Sequence, residues 1–133
     1  MSNPTMGNLT TSNNATILLV DDMPILLEML QEILAMHGYH ALIAADGAEA
    51  YNILTQSDVQ IDLVLTDMFM PPGISGVMLA QKIYDLNPAI PVILATGDDN
   101  FGDDPLPPNI KGTLTKPCQP KTVIERIKSI LSS

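Results

Sequence analysis

The chain has 133 residues and a mass of 14.3 kDa, with 46% hydrophobic and 16% charged residues; this is one ordinary domain's worth of chain and excludes a disordered or fibrous protein. Six basic against fifteen acidic residues give a net charge of −9, which argues against direct nucleic-acid binding and against adsorption to anionic membranes. The single cysteine, Cys118, excludes an internal disulfide and a cysteine-only zinc site.

No apolar run approaches the roughly 18 residues of a membrane span, and no basic-then-apolar signal opens the chain, so the cytoplasm is the expected compartment. Residues 1–15 are rich in Asn, Thr and Ser, contain Pro4 and Gly7 and have no hydrophobic period. They predict a flexible leader or an expression remnant, with the folded domain over 16–131.

Short apolar runs then alternate with amphipathic stretches. Thr16–Val20 (TILLV) predicts a buried strand that ends on Asp21–Asp22. Pro24 suits a first helical turn, where its missing N–H costs nothing. Leu27, Leu30, Ile33, Leu34 and His37 follow mostly at three- and four-residue spacing, and Gly38 is a natural stop. His40–Ala44 is a weaker strand, Asp46–Gly47 a turn and Ala48–Leu54 a short helix. Leu63–Thr66 (LVLT) is a third strand ending at Asp67. Pro71–Pro72–Gly73 form a loop, and Ser75 caps a helix that runs to Leu86, stopped by Asn87–Pro88. Pro91–Ala95 is a fourth strand ending at Thr96, and Lys111–Thr115 a fifth ending at Lys116–Pro117. Pro120 opens a last helix with Val123, Ile124, Ile127, Ile130 and Leu131 on its apolar side.

Between the fourth and fifth strands, Asp98–Asn109 holds three prolines, one glycine and four aspartates. It predicts a loop with at most one short helical turn. Strands alternating with helices predict an α/β fold with a doubly wound, five-stranded parallel sheet, its helices on both faces.

Ligands of open α/β sheets bind beyond the carboxyl ends of the strands. Those ends carry Asp21 and Asp22, Asp67, Thr96 and Lys116. Three carboxylates in one pocket repel, by about 4 kcal/mol per pair at 4 Å and an effective dielectric near 20. Either some protonate or a cation sits among them. Oxygen ligands with room for water suit Mg²⁺ better than zinc. With such an ion, Asp67 could attack a phosphoryl group, Thr96 donate a hydrogen bond to it and Lys116 oppose its charge.

Together ILLVDDMP (Ile17–Pro24), DLVLTDMFMP (Asp62–Pro71), PVILATG (Pro91–Gly97) and LTKP (Leu114–Pro117) resemble the receiver domain of two-component response regulators over about Thr16 to Leu131. The PPGISG loop (Pro71–Gly76) and the ATG ending are closest in style to receivers of hybrid sensor histidine kinases. The resemblance implies a flavodoxin-like fold, here with the fourth helix of that family short or replaced by a loop. It implies Asp67 as phosphoacceptor, a phosphoprotein switched by phosphorelay signal transduction. It implies Mg²⁺ held by Asp22 directly, by Asp21 mainly through water, by Asp67 and by the backbone carbonyl of Phe69. Thr96 would be the switch hydroxyl and Lys116 the phosphate partner, with a cis Lys116–Pro117 bond. The implied partners are a sensor histidine kinase or histidine phosphotransfer protein and an unidentified downstream protein. Such a domain promotes its own phosphorylation and dephosphorylation but is not a metabolic enzyme. With no effector domain after Ser133 or before Thr16, a stand-alone receiver or a piece of a hybrid kinase is expected.

Two positions depart from the family pattern. Thr113 stands where an aromatic residue is usual, and the Pro/Asp-rich loop stands where the fourth helix is usual. They motivate an alternative, a receiver-like protein-interaction module that signals without phosphorylation. A Mg²⁺-dependent phosphatase is the weaker rival, since Phe69 stands where its general-acid aspartate is commonly found. Blander readings exist for single residues. Asp21–Asp22 could only cap a helix, Thr96 could only end a strand, and Lys116 could be an ordinary solvated lysine. Cys118 is expected to be small and partly buried, His37 and His40 packing or surface residues, and the methionines core filler, with Met68 and Met70 alternatively lining the site entrance. Bulky Phe69, two positions beyond Asp67, is expected to slow hydrolysis of an aspartyl phosphate.

Overall fold

The computed structural model describes residues 15–97 and 105–132. The elements in chain order are β1 (Thr16–Val20), α1 (Pro24–Met36), β2 (His40–Ala44), α2 (Gly47–Gln56), β3 (Leu63–Asp67), α3 (Gly76–Leu86), β4 (Val92–Thr96), β5 (Ile110–Thr115) and α4 (Pro120–Leu131). The five strands form one sheet in the order β2-β1-β3-β4-β5, every pair parallel. Its polar strand ends therefore all point to one edge.

Why the strands read as continuous apolar runs is visible in the core. Successive side chains of a strand face opposite sides, and both sides of this sheet are covered. Ile17 and Leu19 of β1, Leu63 and Leu65 of β3 and Ile93 of β4 face one core, closed by Leu27 and Leu34 of α1 and by Val123, Ile124 and Ile127 of α4. Leu18, Val20, Val64 and Val92 face the other, closed by Ala50 of α2 and by Leu79, Ala80 and Ile83 of α3. A parallel sheet buried on both faces needs apolar residues at every position of its central strands.

The element boundaries follow local chemistry. Pro24 and Pro120 open α1 and α4, neither of which has a side-chain cap. Ser75 caps α3 as expected, its hydroxyl accepting from the Met78 N–H at 3.2 Å. Asp46–Gly47 is not a free turn but the start of α2. The Asp46 carboxylate accepts from the Glu49 N–H at 2.8 Å, and the Glu49 carboxylate reaches back to the Ala45 N–H at 2.6 Å. That pair is a variant of the capping box: aspartate replaces the usual hydroxyl, and Glu49 reaches the N–H of Ala45, one residue before the cap. Gly38 takes a left-handed φ of 87° just past α1, a conformation that suits glycine.

Residues 1–14, and 98–104 of the loop expected to hold at most one short helical turn, lie outside the described residues. Residues 105–109 contain no helix. Among the described residues, no helix is long and apolar enough to cross a membrane.

Candidate functional site

The carboxyl edge of the sheet brings the expected side chains together. Asp21 follows directly on β1, its N–H tied to the Ala44 carbonyl of β2 at 3.1 Å. β3 ends in Asp67, one strand away. The next residue, Met68, donates to the Ala95 carbonyl at 2.8 Å and accepts from the Gly76 N–H at 2.8 Å. The carboxylates of Asp21, Asp22 and Asp67 each place an oxygen within 4.8 Å of the others. Asp21 is buried, Asp67 half-buried and Asp22 exposed. This is a bowl with one carboxylate at its floor and one at its lip.

Lys116 enters from the end of β5. Its ammonium donates to Asp21 Oδ2 at 3.0 Å and lies 3.4 Å from Asp67 Oδ1. Its own N–H donates to the Thr96 carbonyl at 2.7 Å, which joins the ends of β4 and β5. Thr96 is buried at the end of β4, 6% exposed. The Lys116–Pro117 bond is cis, as the resemblance implied, and so is Pro71–Pro72, for which the sequence reading had no expectation. Asp21 is also used locally. Its Oδ1 accepts from the Met23 N–H at 3.0 Å, so an interaction at the helix start and a place in the cluster coexist in one side chain.

The charges do not balance. Burial pushes the Asp67 carboxyl above the ordinary carboxylate range. The Lys116 ammonium and the Phe69 N–H pull it down, while Asp21 pushes it up further. Burial would lower Lys116, but its hydrogen bond to Asp21 and the two carboxylates around it outweigh that and hold it above its ordinary value. The two directions are consistent because the ammonium sits closer to Asp21 than to Asp67. Three carboxylates against one ammonium form an all-oxygen donor set with excess negative charge, which fits a hard divalent cation.

Sequence reasoning missed some of the surroundings. The Phe69 backbone works against the rise of the Asp67 carboxyl, while the residue itself is 75% exposed. Met70 is buried in the core beneath α2 and α3 and does not line the entrance; its reading as core filler holds, whereas Met23, Met29, Met36 and Met78 are exposed and fill no core. Cys118 is partly buried, as expected. His37 and His40 are exposed. Thr113, the position without an aromatic ring, has its carbonyl held at 2.8 Å by the Arg126 guanidinium of α4.

Comparisons with known proteins agree with this geometry. The family model described as the response regulator receiver domain matches residues 17–128. The chain is 32% identical over 118 residues to the probable transcriptional regulatory protein TcrX of Mycobacterium tuberculosis, covering 87% of this chain and 49% of TcrX. It is 38% identical over 96 residues to the sensor histidine kinase RcsC of Salmonella typhimurium, covering 71% of this chain and 10% of RcsC. It thus spans about half of the first relative and a tenth of the second. Among solved structures, the response regulator TrrA of Thermotoga maritima, in complex with Mg(2+)-BeF, superposes with a TM-score of 0.76 at 30% identity, covering 86% of this chain and 97% of that one. The receiver domain from the hybrid histidine kinase CckA gives a TM-score of 0.73 at 32% identity, with 86% and 97% covered. With the sheet order, the acidic cluster and Lys116 in place, these matches make the chain a member of the response regulator receiver domain family of two-component systems, a regulatory rather than a metabolic class.

Proposed function

We propose that this domain takes a phosphoryl group from a phosphohistidine onto Asp67 and later loses it to water. The donor is a sensor histidine kinase or a histidine phosphotransfer protein, met in the cytoplasm, and a downstream protein reads the result. An Asp67 carboxylate oxygen attacks phosphorus, and the bond from phosphorus to the imidazole nitrogen breaks. The imidazole keeps that electron pair and takes up a proton. Hydrolysis returns Asp67 as carboxylate and releases inorganic phosphate. Lys116 opposes the charge of the bound phosphoryl group, and the Thr96 hydroxyl donates to one of its oxygens. Asp21, Asp22, Asp67 and the Phe69 carbonyl would hold Mg²⁺, which supplies the positive charge that lets an anionic donor approach an anionic nucleophile.

One observation carries this reading: Asp67 lies within 4.8 Å of two further carboxylates and 3.4 Å from Lys116 at the carboxyl edge of the sheet. The experiment is intact mass after incubation with acetyl phosphate and Mg²⁺, for wild type and Asp67→Ala. The wild type is expected to gain the mass of one phosphoryl group, the variant none, and EDTA to abolish the gain. Equal labelling of both proteins would move the acceptor elsewhere.

The phosphorylation-independent module remains the second reading. Arg126 holding the Thr113 backbone favours it, because no aromatic ring is there to report the state of the site. A Mg²⁺-dependent gain on Asp67 would set it aside.

A further inference from the structure

We propose that Thr66 is a positioning residue for the phosphoacceptor: its buried hydroxyl fixes the peptide plane that carries Asp67 into the site. Thr66 is fully buried, 0% exposed. Its register partners are Val20 of β1 and Leu94 of β4. Strand alternation sets its side chain on the same face as Val64, in the apolar core closed by α2 and α3. A hydroxyl in such a place has to be hydrogen-bonded. It donates to the backbone carbonyl of the next residue, Asp67, at 2.9 Å.

That carbonyl needs the bond. A trans peptide unit is planar, so the Asp67 C=O points away from the Met68 N–H. Met68 donates toward β4, to the Ala95 carbonyl at 2.8 Å, and the Asp67 carbonyl therefore turns toward β1. The ladder between β1 and β3 ends one pair earlier, at Val20 and Thr66. Water has little room to stand in, because Gly76 of α3 comes so close that a Cβ on it would overlap the same oxygen. The Thr66 hydroxyl thus holds one end of the 67–68 peptide and the Ala95 carbonyl the other. Met68 in turn accepts from the Gly76 N–H at 2.8 Å, which fixes the following peptide as well. Without the hydroxyl, a bare buried carbonyl is relieved by turning the 67–68 plane. Such a turn displaces the Asp67 carboxylate, now 3.4 Å from Lys116, and with it the Phe69 backbone. What the hydroxyl supplies is a carboxylate held in attacking geometry. The effect on phosphorylation rests on the reading of the previous subsection; the effect on the backbone does not.

The test compares Thr66→Val, which keeps the shape and removes the hydroxyl, with Thr66→Ser, which keeps the hydroxyl and removes a methyl. Thr66→Ala replaces Thr66→Val if that variant does not fold. Amide exchange of the full chain without metal is read first. In Thr66→Val the Met68 amide should lose about tenfold or more in protection beyond the loss at the core amides of Leu18 and Ile93, and Thr66→Ser should stay within about threefold of wild type. Well below its Tm, Thr66→Val should also bind Mg²⁺ about fivefold or more weakly and take phosphoryl from acetyl phosphate about tenfold or more slowly, both recovered in Thr66→Ser. A Met68 amide that loses no more protection than the core would overturn the proposal. So would a Thr66→Val protein that binds Mg²⁺ and labels as the wild type does. Equal impairment of Thr66→Ser and Thr66→Val would overturn it too, by assigning the effect to packing. If the wild type takes up no phosphoryl group, the reading of Asp67 as acceptor fails, and the amide and Mg²⁺ results alone decide the role of Thr66.

Discussion

At the residue scale the site is a compromise between charge and burial, and Asp67 carries most of it. Its side chain is 12% exposed, its nearest cation is shared with Asp21, and its pKa is raised by burial first. A raised carboxyl pKa means that the folded state holds the proton more tightly than the unfolded state. The associated stability is present below the ordinary carboxylate range and is lost as pH rises through the raised native value. At neutral pH without a divalent cation, charged Asp67 therefore costs the fold. Asp67→Asn removes the charge and keeps the shape. We expect it to be the more stable protein in urea titrations at pH 7 in EDTA, by about 1 kcal/mol, with the difference shrinking toward pH 4. A difference independent of pH would place the effect outside Asp67 ionisation. Phe69 is the second residue whose role is local. Its backbone tempers the rise of the Asp67 carboxyl, and the residue stands 75% exposed. If the ring hinders the water that attacks phospho-Asp67, Phe69→Asn will shorten the lifetime of the phosphorylated protein, read as phosphate release after the donor is removed. An unchanged rate would assign the ring no such role. The acidic residues and Lys116 were legible because each closes an apolar run, and strand ends of a parallel sheet converge. The tie between the Met68 backbone and Gly76 was not, because backbone hydrogen bonds leave no mark in the sequence.

At the element scale, the seam between β3 and α3 is the tightest structural constraint on the site. A Cβ on Gly76 would meet the Asp67 carbonyl at 2.4 Å, Leu94 Cδ1 at 2.7 Å and Met68 Cα at 3.0 Å. Two of those three atoms are backbone, which cannot swing aside. Gly76→Ala must push α3 away from the end of β3, at a cost of about 1–3 kcal/mol for overpacking. It should also weaken acetyl phosphate labelling, because Asp67 and Met68 lie in that seam. Denaturation midpoint and labelling rate are expected to fall together; an unchanged midpoint would show that the seam yields freely. The α2 start offers a smaller effect. Asp46→Ala removes the bond to the Glu49 N–H and should cost about 1 kcal/mol, with labelling unchanged. Elements with a sequence signature were placed well. Pro24 and Pro120 at helix starts, Ser75 as cap and Gly38 after a helix each have a local physical reason. The expected turn at Asp46–Gly47 is instead a helix start, because Asp and Gly suit both, and the side-chain bonds of Asp46 and Glu49 favour the helix. The Arg126 hold on Thr113 joins a helix to a strand across thirteen residues and follows no local pattern.

At the scale of the whole molecule, the doubly wound sheet was legible because its central strands are apolar on both faces and helical stretches separate them. The strand order, with β1 between β2 and β3, needed the structure and the family, since apolar runs do not say which neighbours pair. The same architecture explains why a costly site is tolerated. Two cores hold the sheet from both sides, and the unbalanced carboxylates occupy only its carboxyl edge. The basic residues give that edge little relief. Five of the six, Lys111, Lys116, Lys121, Arg126 and Lys128, fall in β5, α4 and the turn between them, and of these Lys116 forms the described ion pairs with Asp21 and Asp67. Compensation has to come from solution, so a divalent cation bound to the folded state should act as a stabiliser. At a hundred times its dissociation constant, a ligand specific to the folded state adds about 2.7 kcal/mol. Saturating MgCl₂ is therefore expected to raise the wild-type Tm by several degrees and to leave Asp67→Asn nearly unmoved. The two proteins then exchange rank: the variant is the more stable in EDTA, the wild type in Mg²⁺. NaCl at matched ionic strength separates binding from screening. If it reproduces the whole effect of MgCl₂, the cluster is only a crowded surface. If the exchange of rank appears with MgCl₂ alone, the repulsion that weakens the metal-free fold is the same free energy that draws the ion in.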